Sequence, residues 1–349
     1  MQSPEIRLGC NTNSYILLYD IFDAVKIIKD SGIRFLEISS ERELTQVLYN
    51  RYPNEFRSYY DKLRNCIDKN KQKVITTCSW VRDNSWVTAD KKYVKKAGIS
   101  MLYSFIDMAR ILKAERMMSP FGTVRGPLDM SDKEIKISIN NGIESWVDAS
   151  QYAAITNEFG HPIKTIEIEQ MSYLRDPPAT IGQARQIFNE ARRLQKESDI
   201  PYIPIFLRYD VAHAPSKKES TNEDDFNAMG WLRAFPTDIT AFHLKGYKDE
   251  EGRPVVPIAE EYADRGRDIT YNLINTIESL NELRIKAGAP VLETVDVVIE
   301  GIMLKERDSE RKKIEKANAE TIKNVKSFFK ERNYEENSKT GLLVKKSFF

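Results

Sequence analysis

Residues 204–215 read PIFLRYDVAHAP. An apolar run leads into Asp210, and a histidine follows three residues later in a chain with only three histidines. Alone, the stretch is also a plain strand end, a turn and a histidine that packs or hydrogen-bonds locally. Its meaning comes from its repetition.

Working outward, short β-branched or apolar runs recur at 6–10 (IRLGC), 33–39 (IRFLEIS), 73–79 (KVITTCS) and 115–120 (ERMMSP). They continue at 164–171 (KTIEIEQM), 202–210 (YIPIFLRYD), 239–245 (ITAFHLK) and 295–302 (VDVVIEGI). Between them lie segments whose apolar residues repeat at spacings of three and four, the period of a helix. In DIFDAVKIIKDSG (20–32), Ile21, Ala24, Val25 and Ile28 share one face and Gly32 is placed to end the helix. The alternation predicts an α/β fold, a (β/α)8 TIM barrel. A doubly wound sheet is the rival, but no GxGxxG turn follows the first strand. One catalytic barrel domain is expected over 1–332. The tail 333–349 breaks the helical period and is expected either to fray or to dock on a neighbouring subunit.

The totals exclude several classes. Net charge is +1, which gives no global attraction to nucleic acid. Three cysteines without a CxxC pair fit a reducing compartment rather than a disulfide framework. No apolar run is long enough to span a bilayer, and the opening MQSPEIRLGC lacks the pattern of a secretory signal. A cytoplasmic protein with no nucleic-acid or membrane partner is expected.

Strand ends of a barrel converge on one rim. There the fifth to eighth strands carry Glu169, Asp210, His243 and Glu300. Each interrupts an apolar run, where an unpaired carboxylate is costly to bury. A divalent cation would offset that cost. Three carboxylates and one imidazole suit Mn²⁺, with Mg²⁺, Co²⁺ or Zn²⁺ as other candidates. His213, one short turn beyond Asp210, would then stand beside the metal and contact a substrate oxygen or orient a ligand.

The segments EIEQM, RDPPAT, DVAHA, WLRAF, FHLKG, PIAEEYADRG and VIEGI occur in this order between residues 167 and 302. With them the chain resembles the xylose isomerase-like superfamily of metal-dependent barrels, in its ketose 3-epimerase and sugar isomerase branch. The resemblance covers most of residues 6–330 and is specific over the fifth to eighth strands. It implies Glu169, Asp210, His243 and Glu300 as metal ligands, Glu169 and Glu300 as an acid/base pair, and His213 as a substrate contact. It departs at Gly246, where related sequences often carry a polar side chain.

The implied activity is sugar isomerisation or epimerisation of a ketose or ketose phosphate, by carboxylate-mediated proton transfer through an enediolate whose charge a cation stabilises. The expected partners are that small sugar and further copies of this chain. Arg175, Arg208, Lys245, Arg253, Arg265 and Arg267 are candidates for a phosphate clamp, although most of the 53 Lys and Arg residues simply solvate a surface. Asn11, Asn13 and Tyr15 could meet a polyol. Glu37, Trp80 and Phe121 end the second to fourth strands, where aromatic side chains line a pocket or merely pack. Of these, Arg175, Lys245, Asn13 and Trp80 are the substrate-binding candidates beside His213.

Other readings remain open at this level. A C-glycoside deglycosidase catalytic subunit resembles the same barrel and would co-purify with a smaller chain. An apurinic-site endonuclease would need more histidines. A non-catalytic sugar-binding barrel would keep its affinity after chelation.

Overall fold

The computed structural model describes residues 3–15, 19–39, 42–79, 86–124, 131–245, 263–300 and 311–346. Eight strands alternate with helices: β1 (Glu5–Asn11), β2 (Phe35–Ser39), β3 (Lys73–Cys78), β4 (Arg116–Pro120), β5 (Thr165–Glu169), β6 (Ile205–Asp210), β7 (Ile239–Leu244) and β8 (Thr294–Ile299). Each pairs in parallel with the next, and β8 pairs with β1 from Glu5↔Thr294 to Cys10↔Ile299, which closes the cylinder. The expected (β/α)8 barrel is the observed fold. The sixth strand is shorter than the sequence pattern implied. Residues 202–204 stay outside it, because Pro204 has no N–H and contributes only its carbonyl, which accepts from Ile166 N.

The outer layer is built from amphipathic helices. In α1 (Ile21–Asp30), the Asp20 side chain caps the first turn by accepting from Asp23 N, and Ile21, Ala24, Val25 and Ile28 are buried. Two helices, α2 (Arg42–Arg51) and α3 (Pro53–Lys69), connect β2 to β3, separated by Tyr52 with Pro53 opening the second. The others are α4 (Lys92–Ile111), α5 (Asp132–Ala154), α6 (Ile181–Glu197), α7 (Ala228–Ala234), α8 (Ala263–Lys286) and α9 (Arg311–Glu331). The long connection 211–238 is ordered around buried Asp225, which accepts from Ile181 N while its carbonyl accepts from Trp231 Nε1. Most of the second long connection, 246–262, lies outside the described residues.

Alternation along β1 sends Ile6, Leu8 and Cys10 toward the helices and Arg7, Gly9 and Asn11 inward. Inside, the barrel is charged rather than greasy. Asp296 takes Arg7 Nε at 2.5 Å and Arg116 Nη1 at 2.8 Å. Arg116 Nη1 also meets Glu167 at 2.9 Å, and Glu167 receives Arg208 Nε at 2.8 Å. Arg208 Nη1 then reaches Glu37 at 2.8 Å and Nη2 reaches Thr76 Oγ1 at 3.0 Å. Phe35, Ile75 and Val298 form a small apolar cluster of their own, with Leu342 packed against it. Gly9 lies close beside it: a Cβ there would sit 3.2 Å from Ile75 Cδ1 and 3.4 Å from Phe35 O, a tight fit.

The segment after α9, expected either to fray or to dock on a neighbouring subunit, lies through residue 346 on its own barrel. Strands β9 (Tyr334–Glu336) and β10 (Leu343–Lys345) form an antiparallel hairpin, and β10 pairs with β1 at Ile6↔Leu343. It covers the part of the β1 edge that β2, whose pairing starts at Gly9, does not reach. Tyr334 and Leu343 are buried. Phe348 and Phe349 lie outside the described residues.

Two outcomes follow. Truncation after residue 332 is expected to lower the unfolding free energy by about 3 kcal/mol or more, from the lost burial of these two side chains, measured by urea unfolding. Acid provides the second. Burial alone would raise the Glu115 carboxyl, but hydrogen bonds and charge from Arg7 and Lys73 hold it down at about 2. A depressed carboxyl stabilises the fold above its unfolded pKa, so this contribution is present above about pH 4.5 and fades as pH falls toward 2. Glu115→Gln should therefore be less stable than wild type at pH 6, with the difference shrinking below about pH 4.5 and closing only at about pH 2 and below in thermal melts.

Candidate metal centre

Glu169, Asp210, His243 and Glu300, from the ends of four successive strands, each present a ligand atom to one place, and these atoms lie within 4.8 Å of one another. All four are buried. The pairing register explains the convergence. Asp210 lies directly opposite His243, and the Glu300 N–H bonds Leu244 O at 3.2 Å, which sets Glu300 one layer further along. Asp210 is oriented by its own turn, Oδ1 accepting from Ala212 N at 2.8 Å so that Oδ2 faces inward.

His243 is held at both nitrogens. Nδ1 faces the centre, 2.7 Å from Glu169 Oε1 and 3.1 Å from Glu300 Oε2, and Nε2 lies 2.9 Å from Glu37 Oε1. Burial would lower the imidazole's pKa, but Glu37, Glu169 and Glu300 together raise it well above the ordinary histidine range. Glu37 also accepts from Asn11 Nδ2 at 2.6 Å and from Arg208, so it is a fixed acceptor beneath the ring. A carboxylate behind a ligating histidine fixes the ring's tautomer and raises its basicity.

The lysine expected to touch substrate lies in the centre itself. Lys245 Nζ is 2.6 Å from Asp210 Oδ2, 2.9 Å from Glu300 Oε2 and 3.3 Å from Glu169 Oε1. Burial would raise the Glu169 and Glu300 carboxyls, yet Lys245 and then His243 lower both, Glu169 well below the ordinary range. At Asp210 burial prevails, and its pKa is raised.

The donor set fits a hard or borderline divalent cation: three carboxylates and one imidazole nitrogen. Buried Asp210 Oδ2 and Glu300 Oε2 are met by the Lys245 ammonium at 2.6 and 2.9 Å. Carboxylate oxygens aimed at a shared point in this way are what a metal cation would also satisfy.

His213 flanks the centre. Its Nδ1 lies 2.7 Å from Gln170 O, which assigns the proton to Nδ1 and leaves the Nε2 lone pair facing Lys245 Nζ at 3.5 Å. Burial lowers its pKa, which favours the neutral ring. Asn13 is buried in the turn after β1, and its N–H binds Asn11 Oδ1. Arg175 is half-buried in the loop after β5, where its carbonyl accepts from Val124 N at 2.7 Å. Trp80 lies outside the described residues, as do Arg253 and the side chain of Arg265.

Several expectations are corrected. Arg208 is no rim clamp: it is fully buried and committed to Glu37 and Glu167. Arg267 lies on the outer layer beside Glu331 and over the Phe328 ring. Asn11 is locked to Glu37 and Ser39, so its amide is not free for a polyol. Phe121 is core, stacked on Trp146 whose indole N–H donates to its carbonyl. Glu37, which ends the second strand in the sequence, turns out to stand behind His243, a role the sequence did not disclose. It carries the same signal as Glu169, an acid interrupting an apolar strand, but its partner on β7 lies 206 positions away.

No protein-family model matches the sequence, and no curated protein is significantly similar to it. Solved structures do match. D-psicose 3-epimerase from Clostridium cellulolyticum, solved with D-tagatose, is 11% identical, with 92% of this chain and 99% of that chain covered and a TM-score of 0.61. D-allulose 3-epimerase from Methylomonas sp. is 12% identical, covering 95% and 99%, at 0.58. The IolI protein, with a bound zinc atom, is 13% identical, covering 92% and 99%, at 0.56. The chain has the xylose isomerase-like barrel fold. Structural neighbours of this barrel include sugar epimerases, and its buried acid–histidine group could hold a metal. Among the described residues, no helix is long and apolar enough to cross a membrane.

Glu37→Gln removes the charge behind His243 while keeping the side chain's shape. It is expected to weaken Mn²⁺ binding by about 10–100-fold with unchanged far-UV circular dichroism, read by isothermal titration calorimetry.

Proposed function

We propose that this protein is a divalent-metal-dependent sugar isomerase or epimerase acting on a ketose or ketose phosphate. The observation that carries the reading is the convergence of Glu169, Asp210, His243 and Glu300 in one buried group at the strand ends. Mn²⁺ is the metal we favour for a set of three oxygens and one nitrogen, with Mg²⁺, Co²⁺ or Zn²⁺ as substitutes. The presence of sugar epimerases and a zinc-bound protein among its structural neighbours supports the same direction.

In this proposal Glu169 and Glu300 are the acid/base pair as well as ligands. They approach the centre from β5 and β8, with β6 and β7 between them. Both are held toward the ionised form, as a proton acceptor requires. One takes the proton from the carbon beside the ketose carbonyl. Return of that proton by the same carboxylate to the former carbonyl carbon, with the neighbouring hydroxyl's proton passing to the former carbonyl oxygen, relocates the carbonyl; delivery to the original carbon from the other carboxylate, which must first hold a proton, inverts the centre. A bound divalent cation would polarise the carbonyl and stabilise the charge that proton removal develops. His213, neutral and presenting its Nε2 lone pair, accepts a hydrogen bond from a substrate hydroxyl. Asn13, Arg175 and Trp80 are proposed as further substrate contacts, and small sugars and copies of the same chain as partners.

The test combines metal analysis of the purified protein with a panel of ketoses and ketose phosphates in deuterated water. Deuterium at a single carbon is expected, abolished by chelation and restored by Mn²⁺. Glu169→Gln and Glu300→Gln should each lower kcat by roughly 10²–10⁴-fold without changing the melting profile appreciably. Sugar binding that survives chelation, with no exchange on any substrate, would instead identify a non-catalytic barrel.

A further inference from the structure

The ammonium at the centre of the ligand set requires an explanation of its own. Lys245 follows His243 by two residues, so both side chains project from the same face of the strand into the barrel mouth. Its Nζ contacts Asp210 Oδ2, Glu300 Oε2 and Glu169 Oε1 at 2.6, 2.9 and 3.3 Å, and the side chain is only 14% exposed. Three buried carboxylates within one small space repel one another unless a positive charge lies among them. The chain supplies that charge itself. Yet Asp210, Glu169 and Glu300 are also the oxygen donors of the proposed metal site, and a divalent ion would need them at about 2.0–2.2 Å. An ammonium has no lone pair to offer a metal. Ion and lysine therefore compete for the same oxygens.

We infer that Lys245 is an exchangeable internal counter-ion. In the metal-free protein its ammonium holds the ligand carboxylates together; on metal binding it leaves for the mouth of the site. His213 Nε2 lies 3.5 Å from Nζ, so an ammonium displaced toward it enters the space assigned to the sugar's oxygens. A group that stabilises only the metal-free state weakens metal binding by the same factor. Lys245 thus trades affinity for a preassembled site. This inference rests on the metal reading above and deepens it.

The experiment uses the full chain and Mn²⁺ alone. Lys245→Met keeps similar bulk and removes the charge. Its metal-free form is expected to melt below wild type, while its Mn²⁺ dissociation constant falls by about tenfold or more in calorimetric titration. A second measurement needs no variant. Acetylation of wild type, mapped by mass spectrometry, should label Lys245 poorly without metal and several-fold more with saturating Mn²⁺. Unchanged or weaker Mn²⁺ binding in Lys245→Met overturns the exchange, and so does labelling that Mn²⁺ leaves unaltered in a wild type that binds the ion. If wild type binds no divalent metal at all, the metal reading itself fails and the exchange falls with it.

Discussion

Arg208 is the side chain on which the interior depends. Its guanidinium is fully buried and spends its donors on Glu167, Glu37 and Thr76. Without it Glu167 would keep only Arg116 and Glu37 only His243 as a charged partner, and breaking buried ion pairs in this way costs several kcal/mol. From Arg208 the pairing runs down through Glu167, Arg116 and Asp296 to Arg7, and up through Glu37 to His243. Signs alternate at every step, so no member is left without an opposite neighbour. The upper end of this ladder sets the orientation of the imidazole, and so the ligand geometry is anchored by groups that never approach a substrate.

At the rim the compensation is incomplete. Glu169, Asp210 and Glu300 contribute three carboxylates, while Lys245 is the lysine in contact with all of them. The directions of the shifts record the imbalance. Glu169 and Glu300 fall because Lys245 and His243 outweigh burial, whereas Asp210 rises because burial outweighs its cations. A barrel mouth that gathers more negative than positive charge, walled by apolar strands, is predisposed to accept a small cation of higher charge.

Much of this was legible in the order of residues. Strand–helix alternation was strong enough to specify the closed barrel, and an acid or histidine at four consecutive strand ends marked the centre, because the topology makes strand ends neighbours. What failed was anything depending on an unseen partner. Glu37 differs from Glu169 by no local signal; only contact with His243 and Arg208 distinguishes it. Arg208 read as a rim residue because it precedes Asp210 by two positions, although that spacing puts it on the same inward face one layer deeper. For Lys245, nothing local says that its ammonium also reaches the three carboxylates. The hairpin at 334–345 was equally obscure, since its short strands make sense only against the edge of β1.

That hairpin has a bearing on biogenesis. Strand β1 acquires β2 soon after synthesis, but its other neighbours are β8, beginning at residue 294, and β10, beginning at 343. While the polypeptide is still emerging from the ribosome, the first strand therefore carries unsatisfied amide and carbonyl groups along most of one side. Closure of the cylinder by β8, and the covering by β10 of the part of the opposite edge that β2 does not reach, both await residues 294–345. Until those residues are made, the nascent chain is open to chaperones and vulnerable to mispairing with other emerging chains.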